Sequence, residues 1–330
     1  MPASTVKRVT AADVARSLGL SRATVGFVLN DTPGQTIPEA TRERVLAEAK
    51  RLGYRANSAA QALASGRSRI ILLVLPDWPL DYSMRSHLDE ASLALDEAGY
   101  SLVTMTPHPT GQARPLWETL RPDVVLGMTP FDARRLEEIR ASGVQHILPS
   151  TPTDDSATSE DLGFAGGPRL QVEHLLDRGR TRLAFAGSPD PRVADLVAQR
   201  RRLAVQTLGD RTGRGLVAEG PLTESDSSDT VSDWVSAGVD GVVAYNDDIA
   251  AVVLGAALRA GIRVPEDLAI IGHDDTPLAR LLVPALSSVR IDTAGLGRYL
   301  ADLALSAAMG SAPPPAGPET DAHLVARETT

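Results

Sequence analysis

From Ile70 onward the chain alternates short, continuous apolar runs with helical segments, and this alternation constrains the fold more than any other feature of its 330 residues. The runs IILLVLP, SLVTM, VVLGM and QHILP are separated by helical patterns near 83–98, 115–121 and 132–142. A second series, RLAFAG, GLVA, GVVAY and LAIIG, comes with helices near 166–178, 192–208, 228–237 and 247–260. Strands that are apolar throughout are buried on both faces, as in a parallel sheet whose crossover helices cover both sides. Two series therefore predict two doubly wound parallel-sheet subdomains. The remainder adds a strand-like LSSVRID near 286–292, a helix near 293–309, the proline-rich connector SAPPPAGP, and HLVAR at 323–327, which is expected to tie into the second sheet.

The first 69 residues follow a different pattern. In VTAADVARSLGLSRATVGFVLN, Thr10 can cap a first helix and Asp13 can close the capping box. Val14, Ala15 and Leu18 supply an apolar stripe, and Gly19 ends the helix. Leu20 packs under the corner and Ser21 caps a second helix, in which Val25, Val28 and Leu29 face the first. This is a helix-turn-helix pattern. It leaves Arg22, Ala23, Gly26, Phe27 and Asn30 on the outer side, where a major groove would lie, and Thr10, Ser21 and Thr24 join them as DNA-contact candidates. Phe27 either touches thymine methyls or folds down onto a third helix, and Gly26 would let a duplex approach the backbone. Residues 37–54 predict that third helix, with Val45, Leu46, Ala49 and Leu52 inward and Gly53 as its C-cap, completing an all-α headpiece. The alanine-rich stretch after it is too short and weakly apolar to stand as an isolated helix and reads as a hinge.

Charge separates the same two regions. The net charge is −9, but up to Arg69 there are 11 Lys and Arg against 5 Asp and Glu, and beyond it 22 against 37. A headpiece of +6 on a body of −15 points the basic end at nucleic acid, with Lys7, Arg8, Arg42, Arg44 and Arg55 as phosphate candidates. With no cysteine there is no disulfide framework and no thiolate metal site, which suits a reducing cytoplasm. No apolar leader or membrane-length run is found, so a soluble, cytoplasmic protein is expected.

Ligands of open α/β sheets lie beyond the carboxyl ends of the strands. There the sequence places Asp77, Trp78 and Tyr82, then Thr129 and Pro130, then Asn246 and Asp247, then His273, Asp274 and Asp275. In a chain only 4% aromatic, Trp78 and Tyr82 in one loop suggest a stacking platform, or else a rim or dimer contact. Asp247 has an alternative role as a helix N-cap, and Asp275 one as a turn cap. His273, Asp274 and Asp275 lack further spaced ligands, so no metal is expected. His174, among Leu170, Leu175 and Leu176, reads as structural. Walker, GxGxxG, GxSxG and HExxH motifs are absent, and neither an enzyme nor a cofactor is expected.

VTAADVARSLGLSRATV, TRERVLAEAKRLGY and the stretch from Asn57 to Leu63, together with YNDDIAAVVLGAALRAGIRVPEDLAIIGHDD, resemble the lac repressor family nearly end to end. The resemblance implies a periplasmic-binding-protein type of core, in which the chain crosses three times between subdomains. It also implies a hinge that folds on operator DNA, with Asn57, Ala60 and Leu63 at the minor groove and Leu63 as the wedge. Arg200, Asn246 and Asp274 then become effector contacts, joining Asp77, Trp78, Tyr82, Thr129 and Asp247. Several positions depart from the family pattern. Gly26 and Phe27 replace a Ser-Arg pair, so the guanine-reading fork is missing there; Ala56 stands where proline is common; Leu148, Pro149 and Ser150 stand near a usual acid; and His273 replaces an aromatic.

The expected organisation is a headpiece over 1–56, a hinge over 57–69 and a core over 70–330, with one subdomain near 70–158 and 290–313 and the other near 159–285 and 318–330. The expected function is a homodimeric DNA-binding regulator, most simply a repressor. It would read a palindromic double-stranded operator under control of a small-molecule effector, a sugar or related metabolite. Two other readings stay open: a solute-binding module, and a constitutive DNA-binding protein without an effector.

Overall fold

The computed structural model describes residues 9–30, 34–54, 66–108, 111–150, 166–315 and 322–330. Two compact units meet in sequence at Arg69 and Ile70.

In the first unit, α1 (Ala11–Leu18), α2 (Arg22–Leu29) and α3 (Glu39–Leu52) form the headpiece. Thr10 and Asp13 make the reciprocal capping box of α1, which ends on left-handed Gly19. Ser21 accepts the Thr24 amide at 3.0 Å and so starts α2 one residue past the corner. Val14, Ala15, Val25, Val28, Val45 and Ala49 are buried together, with Leu18, Leu20, Leu29, Leu52 and Tyr54 packed around them. Leu46 departs from expectation, at 49% exposed. The inward stripe of α3 runs through Val45, Ala49 and Leu52, at i, i+4 and i+7, and position 46 lies about 100° around the helix from 45.

The second unit holds two four-stranded parallel sheets. The first has the order β2-β1-β3-β4, with β1 Ile70–Val74, β2 Ser101–Met105, β3 Val124–Gly127 and β4 His146–Leu148. Strand β1 alternates between two cores. Ile71 and Leu73 face a cluster with Leu95 of α4 (Tyr82–Glu97) and Ala301, Ala304 and Ala308 of a late helix. Leu72 and Val74 face Trp117 of α5 (Leu116–Leu120) and Leu136 and Ile139 of α6 (Ala133–Ala141).

The second sheet has the order β6-β5-β7-β8, with β5 Leu183–Gly187, β6 Ala218–Pro221, β7 Gly241–Ala244 and β8 Ala269–Ile271. Its helices are α7 (Gly166–Asp177), α8 (Ala194–Thr212), α9 (Ser227–Ser236) and α10 (Asp247–Arg259). Strand β6 lies downstream of the expected GLVA, because an edge strand needs backbone pairing with one neighbour and no continuous apolar run. Each sheet reverses strand order between its two central strands, β1 and β3 in one and β5 and β7 in the other, which opens a crevice at their carboxyl ends.

The chain then passes through β9 (Ser288–Arg290) to α11 (Thr293–Met309), which lies along α4 on the first sheet, and returns as β10 (His323–Val325). Strand β10 pairs antiparallel with β9 in a separate ribbon rather than joining the second sheet directly. Thr329 makes the link to that sheet. Its carbonyl accepts from the Ile270 amide at 2.9 Å and its hydroxyl donates to the Ile270 carbonyl at 2.7 Å. Among the described residues no helix is long and apolar enough to cross a membrane.

Candidate functional site

On the headpiece, the satisfied core leaves one face of α2 outward. Thr10, Ser21, Arg22, Ala23 and Asn30 are exposed, while Thr24, Gly26 and Phe27 are half-buried. Phe27 is not among the side chains packed on the headpiece core, so it does not fold down into it. Ser21 and Thr24 are also engaged with each other, their hydroxyls 2.8 Å apart. Arg44 is exposed and Arg42 half-buried on α3. Lys7, Arg8, Arg55, Ala56, Asn57, Ala60 and Leu63 lie outside the described residues.

In the core, the loops after the strands converge. Trp78, following β1, packs against the apolar clusters of both sheets. Asp77 and Tyr82 are exposed, and Thr129 is half-buried. Asp81, which the sequence reading passed over, caps α4 by accepting the Met84 amide at 2.8 Å. Asp81 is itself exposed, but desolvation by the surrounding walls raises the pKa of its carboxyl, and the negative charge of Asp274 adds to the rise. A Pro-Leu-Asp run just before a helical pattern was the available signal.

Arg200 is buried at the centre. Its Nη1 donates to the Tyr245 carbonyl at 2.5 Å, its Nη2 to Asp274 Oδ1 at 3.2 Å, and its guanidinium stacks 4.8 Å from the centroid of the Tyr245 ring. Burial pushes the Tyr245 hydroxyl up to about 12. His273 Nδ1 lies 2.6 Å from the same Asp274 oxygen. Burial, reinforced by the nearby charge of Arg200, lowers the imidazole pKa and keeps the ring neutral. Burial alone would raise the Asp274 carboxyl, but the charge of Arg200 and the contact with His273 outweigh it and hold the group well below the usual range. Asp274 and Asp275 both take left-handed φ, 95° and 44°, which costs non-glycine residues energy. Bonds from the Asp274 amide to the Val289 carbonyl and from the Asp275 amide to Ser288 Oγ hold them there.

Two candidates prove to have structural duties. Asn246 is the N-cap of α10, its side chain accepting the Ile249 amide at 3.0 Å, so the cap is not Asp247. Asp247 is fully buried, and it accepts the Thr276 amide and the Ser288 hydroxyl, each at 2.6 Å. Burial pushes its carboxyl up to about 7. With both oxygens engaged inside the protein, Asp247 ties the start of α10 to β9 rather than facing the crevice. Asp275 ion-pairs with Arg290 and Arg327 rather than capping a turn. His174 donates to or accepts from the Thr330 hydroxyl at 2.7 Å. Among the described residues no three His, Asp or Glu side chains are grouped to hold a metal ion.

Residues 10–57 match the model of bacterial regulatory proteins of the lacI family, and residues 172–330 match that of a periplasmic binding protein-like domain. The chain is 30% identical to the HTH-type transcriptional regulator GntR of Pseudomonas aeruginosa, over 99% of this chain and 97% of that protein. The fold is similar to the lac repressor dimer bound to operator and the anti-inducer ONPF, with a TM-score of 0.78, 23% identity and coverage of 98% of this chain and 99% of that one. It is also similar to a CelR–cellobiose complex, with a TM-score of 0.62, 24% identity and coverage of 98% and 100%. The headpiece, the paired parallel sheets and these likenesses together identify the chain as a member of the lacI family of bacterial regulatory proteins, a helix-turn-helix transcriptional regulator.

Proposed function

We propose that this regulator works in the cytoplasm as a homodimer that binds a near-palindromic operator, one headpiece to each half-site, and represses from it. A small-molecule effector, a sugar or related metabolite, occupies the crevice of the core and sets operator affinity. The observation that carries the reading is the bare outer face of α2, left by a headpiece whose core and caps are satisfied, at the basic end of an otherwise acidic chain. Two-fold protein symmetry calls for two-fold DNA symmetry.

For the effector, the support is the grouping of Arg200, Asp274, Asp81, Tyr245 and Trp78 around the strand ends, a planar cation and carboxylates beside aromatic faces. That set suits hydroxyl pairs on a ring. The cellobiose named with the CelR structure is a ligand of this class. Residues 1–56 serve as the headpiece and 57–69 as the hinge, and closure of the crevice changes how two headpieces are presented.

Selection of bound duplexes from a random pool by the full chain, at stated salt and with a metabolite extract present, tests the reading. An enriched palindrome supports it. Loss of all sequence preference counts against it, and turnover of a bound metabolite would point to an enzyme instead. Thermal stabilisation by single sugars from a panel then identifies the effector.

A further inference from the structure

Two glycines inside helices carry opposite messages. Gly297, in α11, lies against α4 so closely that a Cβ would collide with the carbonyl oxygen of His87. Its missing side chain is used within the molecule. Gly26, in the middle of α2, has nothing within 4 Å of where a Cβ would stand, and it does not take a left-handed φ. Among the described residues nothing in the headpiece requires glycine there, although glycine costs a helix interior about 1 kcal/mol relative to alanine.

The neighbours of Gly26 indicate what uses the gap. Ala23, Gly26, Phe27 and Asn30 share one side of α2 at i, i+3, i+4 and i+7. Phe27 is half-buried but is not among the side chains packed on the headpiece core, so a large apolar ring stands on the same side of α2 as the small residues Ala23 and Gly26. The unit carrying this face has a formal charge of +6, opposite in sign to the −15 of the rest, and so complements a phosphate backbone. In a major groove the apolar group on offer is the C5-methyl of thymine. Phe27 can offer no hydrogen bond to a base edge.

We propose that Gly26 is a slot through which the edge of the operator reaches the backbone of α2, and that Phe27 there reads a thymine methyl, so that each half-site is chosen by a methyl contact at this position instead of a guanine fork. The proposal rests on the DNA-binding reading above.

The test takes the palindrome enriched by the full-length chain and replaces each thymine in turn with deoxyuridine, which removes only the methyl. One symmetric pair of positions is expected to weaken binding, by about fourfold for each methyl, as for one buried carbon. F27A is expected to bind the thymine and uracil duplexes equally. G26A should keep the helicity and melting temperature of the wild type, or raise the latter, while losing roughly tenfold or more in operator affinity, the size of one good base contact. Uracil tolerated at every position, an undiminished uracil effect in F27A, or wild-type affinity in G26A would each overturn the proposal while leaving the regulator reading intact. If no palindrome is enriched at all, both readings fall.

Discussion

Arg200 Nη2 and Asp274 Oδ1 meet at 3.2 Å, with the two side chains only 9% and 8% exposed. A buried pair is costly to break from one side, because the remaining charge has neither water nor partner. Asp274→Ala should therefore lower unfolding free energy by roughly 3–5 kcal/mol in urea titrations. The carboxyl is held below its unfolded pKa, so its contribution is complete above the ordinary carboxylate range and fades as the pH falls toward the lowered folded value. The gap between wild type and Asp274→Asn should be flat from about pH 5 to 8 and close below about pH 4, the ordinary aspartate value.

Asp247 has the opposite sign. Its folded carboxyl titrates at about 7, so between the ordinary aspartate value and that point the folded state keeps a proton the unfolded chain has lost. Stability from this group falls as the pH rises through that window. Asp247→Asn, which can still accept from Thr276 and donate to Ser288, should remove the fall, matching wild type near pH 4 and exceeding it near pH 8, within about 1 unit of those limits. Melting temperatures measured as the difference between variant and wild type give the readout. His87, lowered by burial to about 4, and His273, also lowered by burial, slope the other way in both proteins and cancel in the difference.

Gly297→Ala should destabilise the core. The gain in helix propensity of about 1 kcal/mol is smaller than the cost of pushing α11 off the α4 backbone, for which overpacked cores lose about 1–3 kcal/mol. A lowered urea midpoint in Gly297→Ala, beside an unchanged or raised melting temperature in G26A, would separate the two glycines.

Thr329→Val preserves shape but deletes a buried hydroxyl that accepts from the Ser287 amide at 2.9 Å and donates to the Ile270 carbonyl at 2.7 Å. Both partners are left without that bond, and a loss of about 1–3 kcal/mol is expected by equilibrium denaturation.

What was legible from sequence is what local chemistry decides. Thr10, Asp13, Gly19, Ser21 and Gly53 sit at caps because a side-chain oxygen or a left-handed residue must be there, whatever the tertiary fold. Strands β1, β5 and β7 announce themselves as unbroken apolar runs. Strand β6, at an edge, does not, and neither does the outward turn of Leu46, since helical spacing alone cannot say where the inward stripe ends.

In the crevice, residue types near strand ends were readable, whereas duties were not. Asp247 and Asp274 are both acids just past a strand, yet one is consumed by Ser288 and Thr276 and the other by Arg200 and His273, and all of these partners except the adjacent His273 come from far along the chain. The cap made by Asp81 was signalled locally by the Pro-Leu-Asp run, but its nearness to Asp274 on the opposite wall is something no local pattern records.

The bonds made by Thr329 also set a timetable for synthesis. Strand β8 can pair with β7 as soon as both have left the ribosome, and Ser287 bridges to its other edge at Ile271, but at Ile270 that edge waits for Thr329. Arg327 must reach Asp275, and Thr330 must reach Ser287 and His174, before that side of the sheet is covered. A chain cut short at residue 322 would therefore leave the Ile270 end of that edge exposed and prone to pairing with another molecule.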